Sequence, residues 1–334
     1  MDCFCVGKND FSIFFGGCKQ SKSVHLRAVG TFPGACSLSG LQKYNNFRQC
    51  PNFCMGNFVG HRFFPIFAQE FKSIGVMLKT KDEIVQNWLP RYTKRKLEDF
   101  SEYILLTNFT HYVELFAEQY NVPVVGREGN MPNASANDMT IINFGIGSPN
   151  AALIMDMLSA IHPKAVLFLG KCGGLRDKNK IGDYILPSAA IRGEGTSNDY
   201  FPPEIPALPA FSILRAVSTS IRNYGHDYWT GTVYTTNRRV WEHDEQFRQY
   251  LRATRAYAVD METATLLSVG FHNSIPTGVL LLISDMPLQP EGIKTDAMDR
   301  KTTELYAKEH LEIGIDALTA IQNNSFTLKH LRFE

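Results

Sequence analysis

No stretch of this 334-residue chain stays apolar over the roughly 20 residues that a membrane-spanning helix needs. An excess of either charge is missing too: 34 Lys and Arg stand against 33 Asp and Glu, a net charge of +1. That balance removes any global electrostatic case for nucleic acid or a membrane surface as a partner. The start, Met1-Asp2-Cys3-Phe4-Cys5, lacks a basic run followed by an apolar stretch. It does not read as a secretory signal, and the cytoplasm is the expected compartment. Cysteine is scarce beyond residue 54, where Cys172 stands alone. The other six, Cys3, Cys5, Cys18, Cys36, Cys50 and Cys54, crowd the front of the chain. A disulfide scaffold or a metal site there stays open, but Cys3-x-Cys5 and Cys50-x3-Cys54 lack a paired CxxC spacing. No His, Cys and carboxylate cluster has ligand spacing, so neither metal nor cofactor is expected.

What the chain does have falls into two parts. Residues 1–76 are rich in Cys, Phe and Gly and carry neither helical nor strand periodicity. The segment Met77-Leu78-Lys79-Thr80-Lys81-Asp82-Glu83 looks like a cytosolic N-terminus entering a helix, with Thr80 and Glu83 spaced as a capping box. Residues 1–76 are therefore expected to be an extension outside the working domain, and 77–334 to be that domain.

From there strands and helices alternate. Strands are expected at 103–106, 139–144, 165–169, 184–186, 189–191, 228–234, 257–259 and 277–284. Helices are expected at 110–120, 149–158, 209–224, 244–253, 261–271 and 300–322. Such alternation predicts the α/β class, one domain with a mixed sheet flanked by helices on both faces. The 44% hydrophobic content supplies an ample core.

In open α/β sheets ligands bind at the carboxyl ends of strands, and four such ends carry suggestive residues. Phe144-Gly145-Ile146-Gly147-Ser148-Pro149-Asn150 places two glycines before a helix start, where free N–H groups suit an anion or a sugar oxygen. The third glycine of a dinucleotide fingerprint is missing, and a tight structural turn reads equally well. Gly170-Lys171-Cys172-Gly173-Gly174 offers Lys171 as a point charge for a phosphate, or as a solvated loop lysine. Cys172 reads as a buried small residue. Glu262, in Val259-Asp260-Met261-Glu262-Thr263-Ala264, sits where a strand passes into a helix. Its carboxylate suits a pair of ribose hydroxyls, or merely the helix dipole. Asp285 ends the apolar run Leu281-Leu282-Ile283-Ser284. Burial there would raise its pKa, as a general acid requires, although a cap or turn Asp looks the same. Two carboxylates at neighbouring strand ends suggest glycosidic chemistry.

Val259-Asp260-Met261-Glu262-Thr263-Ala264 with Ile283-Ser284-Asp285 resembles the signature of the purine nucleoside phosphorylase and nucleosidase superfamily. The turns Gly145-Ile146-Gly147 and Gly170-Lys171-Cys172-Gly173 match in order and spacing, and the likeness runs from about 103 to 321. Within the superfamily, Ala190-Ile191-Arg192-Gly193-Glu194-Gly195-Thr196-Ser197 is most similar to the short-form AMP nucleosidases. The resemblance implies a nucleoside phosphorylase-like fold and a homo-oligomer, a hexamer or trimer of dimers. It implies that Asp285 protonates purine N7 and that Glu262 holds the ribose hydroxyls. Met261, Ser284 and Gly147 would line the sugar and base site, Tyr234 would stack on the base, and Arg300 would support the acid. Tyr234 also reads as a core aromatic.

The departures from the family pattern point to water as nucleophile. Hexameric phosphorylases carry an arginine where this chain has Phe168. They also carry a glycine and an arginine where it has Asn108 and Tyr112. Without those guanidinium groups no bidentate clamp for inorganic phosphate is expected. Lys171 and Arg192, with Asn108, Thr110, His111 and Ser197, are the candidates for a 5′-phosphate. His111 reads equally as an ordinary helix-end residue. The implied reaction is AMP plus water giving adenine and ribose 5-phosphate. The rivals are a phosphorylase or nucleosidase for an unphosphorylated purine nucleoside, and a catalytically silent nucleotide-binding protein of this fold.

Overall fold

The computed structural model describes residues 79–323 and three short strands, β1 (Cys3–Cys5), β2 (Asp10–Ile13) and β3 (His25–Arg27). The chain divides into two units, Met1–Met77 and Leu78–Glu334. In the first, β1, β2 and β3 form an antiparallel sheet in that order, where no strand periodicity was expected. Met77 as a start, and the six front cysteines as disulfide or metal partners, concern main chain or side chains outside the described residues.

The second unit opens with α1 (Lys81–Thr93), and its capping box forms. Thr80 N–H donates to Glu83 Oε2 at 2.7 Å and Glu83 N–H to Thr80 Oγ1 at 3.2 Å, satisfying two donors the first helical turn leaves free. Eight strands follow: β4 (Tyr103–Thr107), β5 (Asn133–Ala136), β6 (Met139–Asn143), β7 (Ala165–Gly174), β8 (Tyr184–Gly193), β9 (Tyr228–Thr236), β10 (Ala258–Asp260) and β11 (Thr277–Asp285). They form one sheet in the order β10-β9-β8-β11-β7-β4-β6-β5. Pairing is antiparallel at β11–β8 and β6–β5 and parallel at the other steps of that order, so the sheet is mixed as expected. β10 also pairs with β7, antiparallel, which closes β7 to β11 on themselves.

Six more helices cover it: α2 (Thr110–Tyr120), α3 (Ser148–Leu158), α4 (Phe211–Asn223), α5 (Glu245–Thr254), α6 (Thr263–His272) and α7 (Asp296–Gln322). Alternation along the strands sorts the core into two layers. Ile104, Leu106, Val166, Phe168 and Leu281 pack with α3 and α6 residues. Tyr103, Leu105, Leu167, Leu169, Leu280 and Leu282 pack with α2, α4 and α7 residues. Burial on both faces is why these strands read as continuous apolar runs. Among the described residues no helix is long and apolar enough to cross a membrane.

Three differences from expectation concern the sheet, and α7 begins at Asp296 instead of Arg300. β7 runs through Gly170–Gly174 instead of turning at Gly170, because both edges are paired, with β11 and, at Gly173 and Gly174, with β10. Proline 187 does not split β8; the strand passes it with a register shift before Ala189. β5, with the sequence NASA, lacks the apolar alternation that marks strands and is held by its pairing to β6.

Candidate active site

The carboxyl ends of β4, β7, β9, β10 and β11 converge on one cleft of about 260 Å³. Asp285, Ser284, Asp260, Met261, Glu262, Lys171, Cys172 and Asn108 all line it. The sequence motifs of four separate strand ends are thus brought together.

Glu262 follows β10, and its side chain crosses to the turn before α3. Gly147 N–H donates to Glu262 Oε1 at 2.7 Å, and Met261 N–H to Oε2 at 3.3 Å. Gly147 has φ +95°, a backbone state in which a Cβ would be strained, and this aims its N–H at the carboxylate. The anion met by this turn is the protein's own. Ser148 Oγ donates to Met261 O at 2.6 Å and pins the two segments together. Capping of α6 falls to Asp260, not Glu262. Asp260 Oδ2 accepts from Thr263 N–H at 2.7 Å, and Oδ1 accepts from Thr235 Oγ1 at 2.7 Å. Burial pushes Glu262 up to about 7, and the adjacent Asp260 carboxylate pushes the same way. Asp260 is raised too, because burial outweighs the hydrogen bonds that favour its charged form.

Asp285 ends β11 at 9% exposure. Its Oδ1 accepts from Ser284 Oγ at 2.8 Å and lies 3.7 Å from Lys294 Nζ. It caps nothing: the next helix, α7, is capped by Thr295 Oγ1. Burial raises its pKa, opposed by Lys294 and by Ser284. A carboxyl with a raised pKa beside an open cleft suits a general acid.

Lys171 is no loop lysine. It lies within β7 with its side chain 2% exposed, donates to Asp299 Oδ1 at 2.9 Å and Thr303 Oγ1 at 2.7 Å, and sits 4.4 Å from the centre of the Phe109 ring. Burial lowers its pKa. Lys294 Nζ lies 3.4 Å from the same Asp299 oxygen, so two ammonium groups share one carboxylate at the cleft.

Other expected residues stand apart from the cleft. All five Arg192 donors are engaged: with Ser197 Oγ and Asn198 Oδ1, and with the carbonyls of Phe201, Pro202 and Ile205. Arg192 and Ser197 therefore organise the 197–205 loop and leave no N–H for a phosphate. Thr110 and His111 are exposed at the start of α2, and Thr110 Oγ1 accepts from Asn143. Tyr234 packs edge-on against Phe247 and Tyr250, with ring centres 6.0 Å and 5.8 Å away, and does not line the cleft. The aromatics that do are Phe109 and Trp241. Arg300 pairs with Asp296 on the exposed side of α7, while Lys294 and Arg239 supply the positive charge near Asp285. Sequence reasoning missed Lys294, Arg238, Arg239 and Trp241 because they lie on loops after strands, with no periodicity to mark them.

Tyr112 and Phe168, where phosphorylases carry arginines, are core residues. Tyr112 bonds to His310 Nδ1 at 2.9 Å, and Phe168 packs on Phe144 with ring centres 5.6 Å apart. Among the described residues no group of three or more His, Cys, Asp or Glu could hold a metal ion.

Residues 102–320 match the model of the phosphorylase superfamily. The chain belongs to this superfamily. It is 63% identical to AMP nucleosidase from Bacteroides thetaiotaomicron VPI-5482, whose crystal structure superposes with a TM-score of 0.67 and covers 74% of this chain and 99% of that one. It is 30% identical over 280 residues to AMP nucleosidase from Escherichia coli K12, covering 70% of this chain and 58% of that protein. The chain thus spans little over half the length of that relative. Uridine phosphorylase from Vibrio fischeri ES114, at 23% identity and a TM-score of 0.60, shares the fold, with 67% of this chain and 93% of that one covered.

Proposed function

We propose that this superfamily member hydrolyses the N-glycosidic bond of a purine nucleotide, AMP, to adenine and ribose 5-phosphate. The observation that carries the reading is two buried carboxyls facing one cleft, each with its pKa raised. Asp285 donates a proton to N7 of the purine, so the ring leaves as a neutral base. Glu262, ionised when substrate is bound, accepts hydrogen bonds from the 2′- and 3′-hydroxyls and stabilises positive charge growing on the sugar. Ser284 orients the acid, Gly147 orients the carboxylate, and Met261 packs against the ribose. Lys171 and Lys294, held ready by Asp299, provide the cationic side for the 5′-phosphate. Likeness to AMP nucleosidases supports the substrate, and the core roles of Tyr112 and Phe168 support water over inorganic phosphate.

Assembly into a homo-oligomer belongs to the same proposal. Val240 at 68% exposure and Phe271 at 69% are large apolar groups suited to burial against another copy.

One assay tests the reaction. Purified protein is incubated with AMP or adenosine, with and without inorganic phosphate, and the sugar product is identified. Ribose 5-phosphate from AMP, unaffected by phosphate, is the expected result. Ribose 1-phosphate from adenosine would replace the reading with phosphorolysis, and no adenine release from either would remove catalysis.

A further inference from the structure

The hydrolytic reading leaves the nucleophile without a partner, and one atom in the cleft answers to it. Asn108, just past β4, lines the cleft, and its amide N–H2 faces the Glu262 carboxylate and favours its charged form. A carboxylate only accepts, so this contact fixes which end of the amide faces Glu262. The other end, Asn108 Oδ1, is buried and has no hydrogen-bond partner in the protein. A buried acceptor left unpaired costs about 1–3 kcal/mol, so such an atom at a binding cleft is matched to a donor on the ligand. A phosphate oxygen cannot serve, because the phosphate oxygens facing it would be acceptors too. An O–H group can.

Sugar stereochemistry selects which O–H. In a purine ribonucleoside the base projects from one face of the ribose and the 2′- and 3′-hydroxyls from the other. A nucleophile displacing the base in line arrives on the hydroxyl face. Glu262, the proposed partner of those hydroxyls, lies on that face, and Asn108 stands beside Glu262. We infer that Asn108 Oδ1 holds the attacking water, accepting a hydrogen bond from one of its O–H groups and leaving the water's lone pair aimed at C1′.

The step balances. The C1′–N9 electron pair passes to the purine, and Asp285 protonates N7. The water oxygen bonds to C1′ and its second proton goes to Glu262, which is basic enough to take it and release it to solvent. Asp285 regains a proton from solvent. The inference rests on the proposed hydrolysis of AMP.

The test is Asn108→Ala, assayed with AMP at pH 8.5, above the range where Glu262 titrates. A kcat lower by about 30-fold or more, with KM for AMP within about threefold, is the expected result for loss of one reactant's orientation. Methanol competition gives a second readout on any active variant. Water offers two O–H groups to Asn108 and Glu262, and methanol offers one, so the wild type discriminates against methanol. Asn108→Ala is expected to raise the methyl glycoside share of the product severalfold, and Asn108→Ser, which keeps an acceptor, by less. A tenfold rise in KM for AMP with kcat retained would place Asn108 at the 5′-phosphate and overturn the inference. So would an unchanged methanol share. If the wild type forms no ribose 5-phosphate, the hydrolytic reading itself fails, which is a separate outcome.

Discussion

Replacing Glu262 with Gln should stabilise this protein while damaging its activity. The native environment raises the Glu262 pKa from 4.5 to about 7. At about 1.4 kcal/mol for each tenfold change in acidity, that is roughly 3 kcal/mol of folding free energy. The sign follows from proton binding. Between these two values the folded state binds more protons than the unfolded state, so stability is full below 4.5 and is lost as pH rises through about 7. Gln carries no charge and escapes this loss. Its carbonyl can keep the Gly147 hydrogen bond, but its –NH2 faces Met261 N–H, where Glu262 accepts at 3.3 Å. Losing that bond costs about 1 kcal/mol. At pH 8 Glu262→Gln is therefore expected to be more stable by about 2 kcal/mol, or about 4–8 °C in Tm for a domain of this size. Near pH 5 the two effects nearly cancel and the melting temperatures should converge. Thermal denaturation of both proteins without ligand at pH 5, 6, 7 and 8 reads the difference directly. A gap that stays constant across that range, or a variant less stable at pH 8, would refute the claim that a buried, proton-seeking carboxyl sits at 262.

Two further outcomes follow from the acid end of the cleft. Asp285→Asn should lower turnover about a hundredfold or more, the scale of losing a general acid, and near-native turnover would remove Asp285 from that role. Lys294→Met takes away the cation that opposes the burial of Asp285, so the acid should hold its proton to higher pH. The alkaline limb of kcat/KM for AMP should then move upward, whereas a downward shift or none would detach Lys294 from Asp285.

Much of the fold was legible because both sheet faces are covered. Runs such as 103–106, 165–169 and 279–283 are apolar at every position, as strands buried on two sides require. The α1 start was legible from two residues, Thr80 and Glu83, whose hydrogen bonds are local. What failed were features set by neighbours distant in sequence. β7 continues through its glycines because β10 and β11 pair with them. Arg192 looks like a free cation in sequence, yet five acceptors from 197–205 surround it. Lys171 read equally as a phosphate ligand or a solvated loop lysine until Asp299, 128 residues later, closed over it.

By itself the sequence determined the class of fold, the family, and the two carboxyls to consider, since burial periodicity and short motifs are local properties of the chain. Only the tertiary structure decided which cations stand beside Asp285, which aromatics line the cleft, and that Asn108 faces Glu262. Those facts depend on loops from separate strands meeting at one point, and on the loss of water there, which sets both the raised pKa values and the demand of each buried polar atom for a partner.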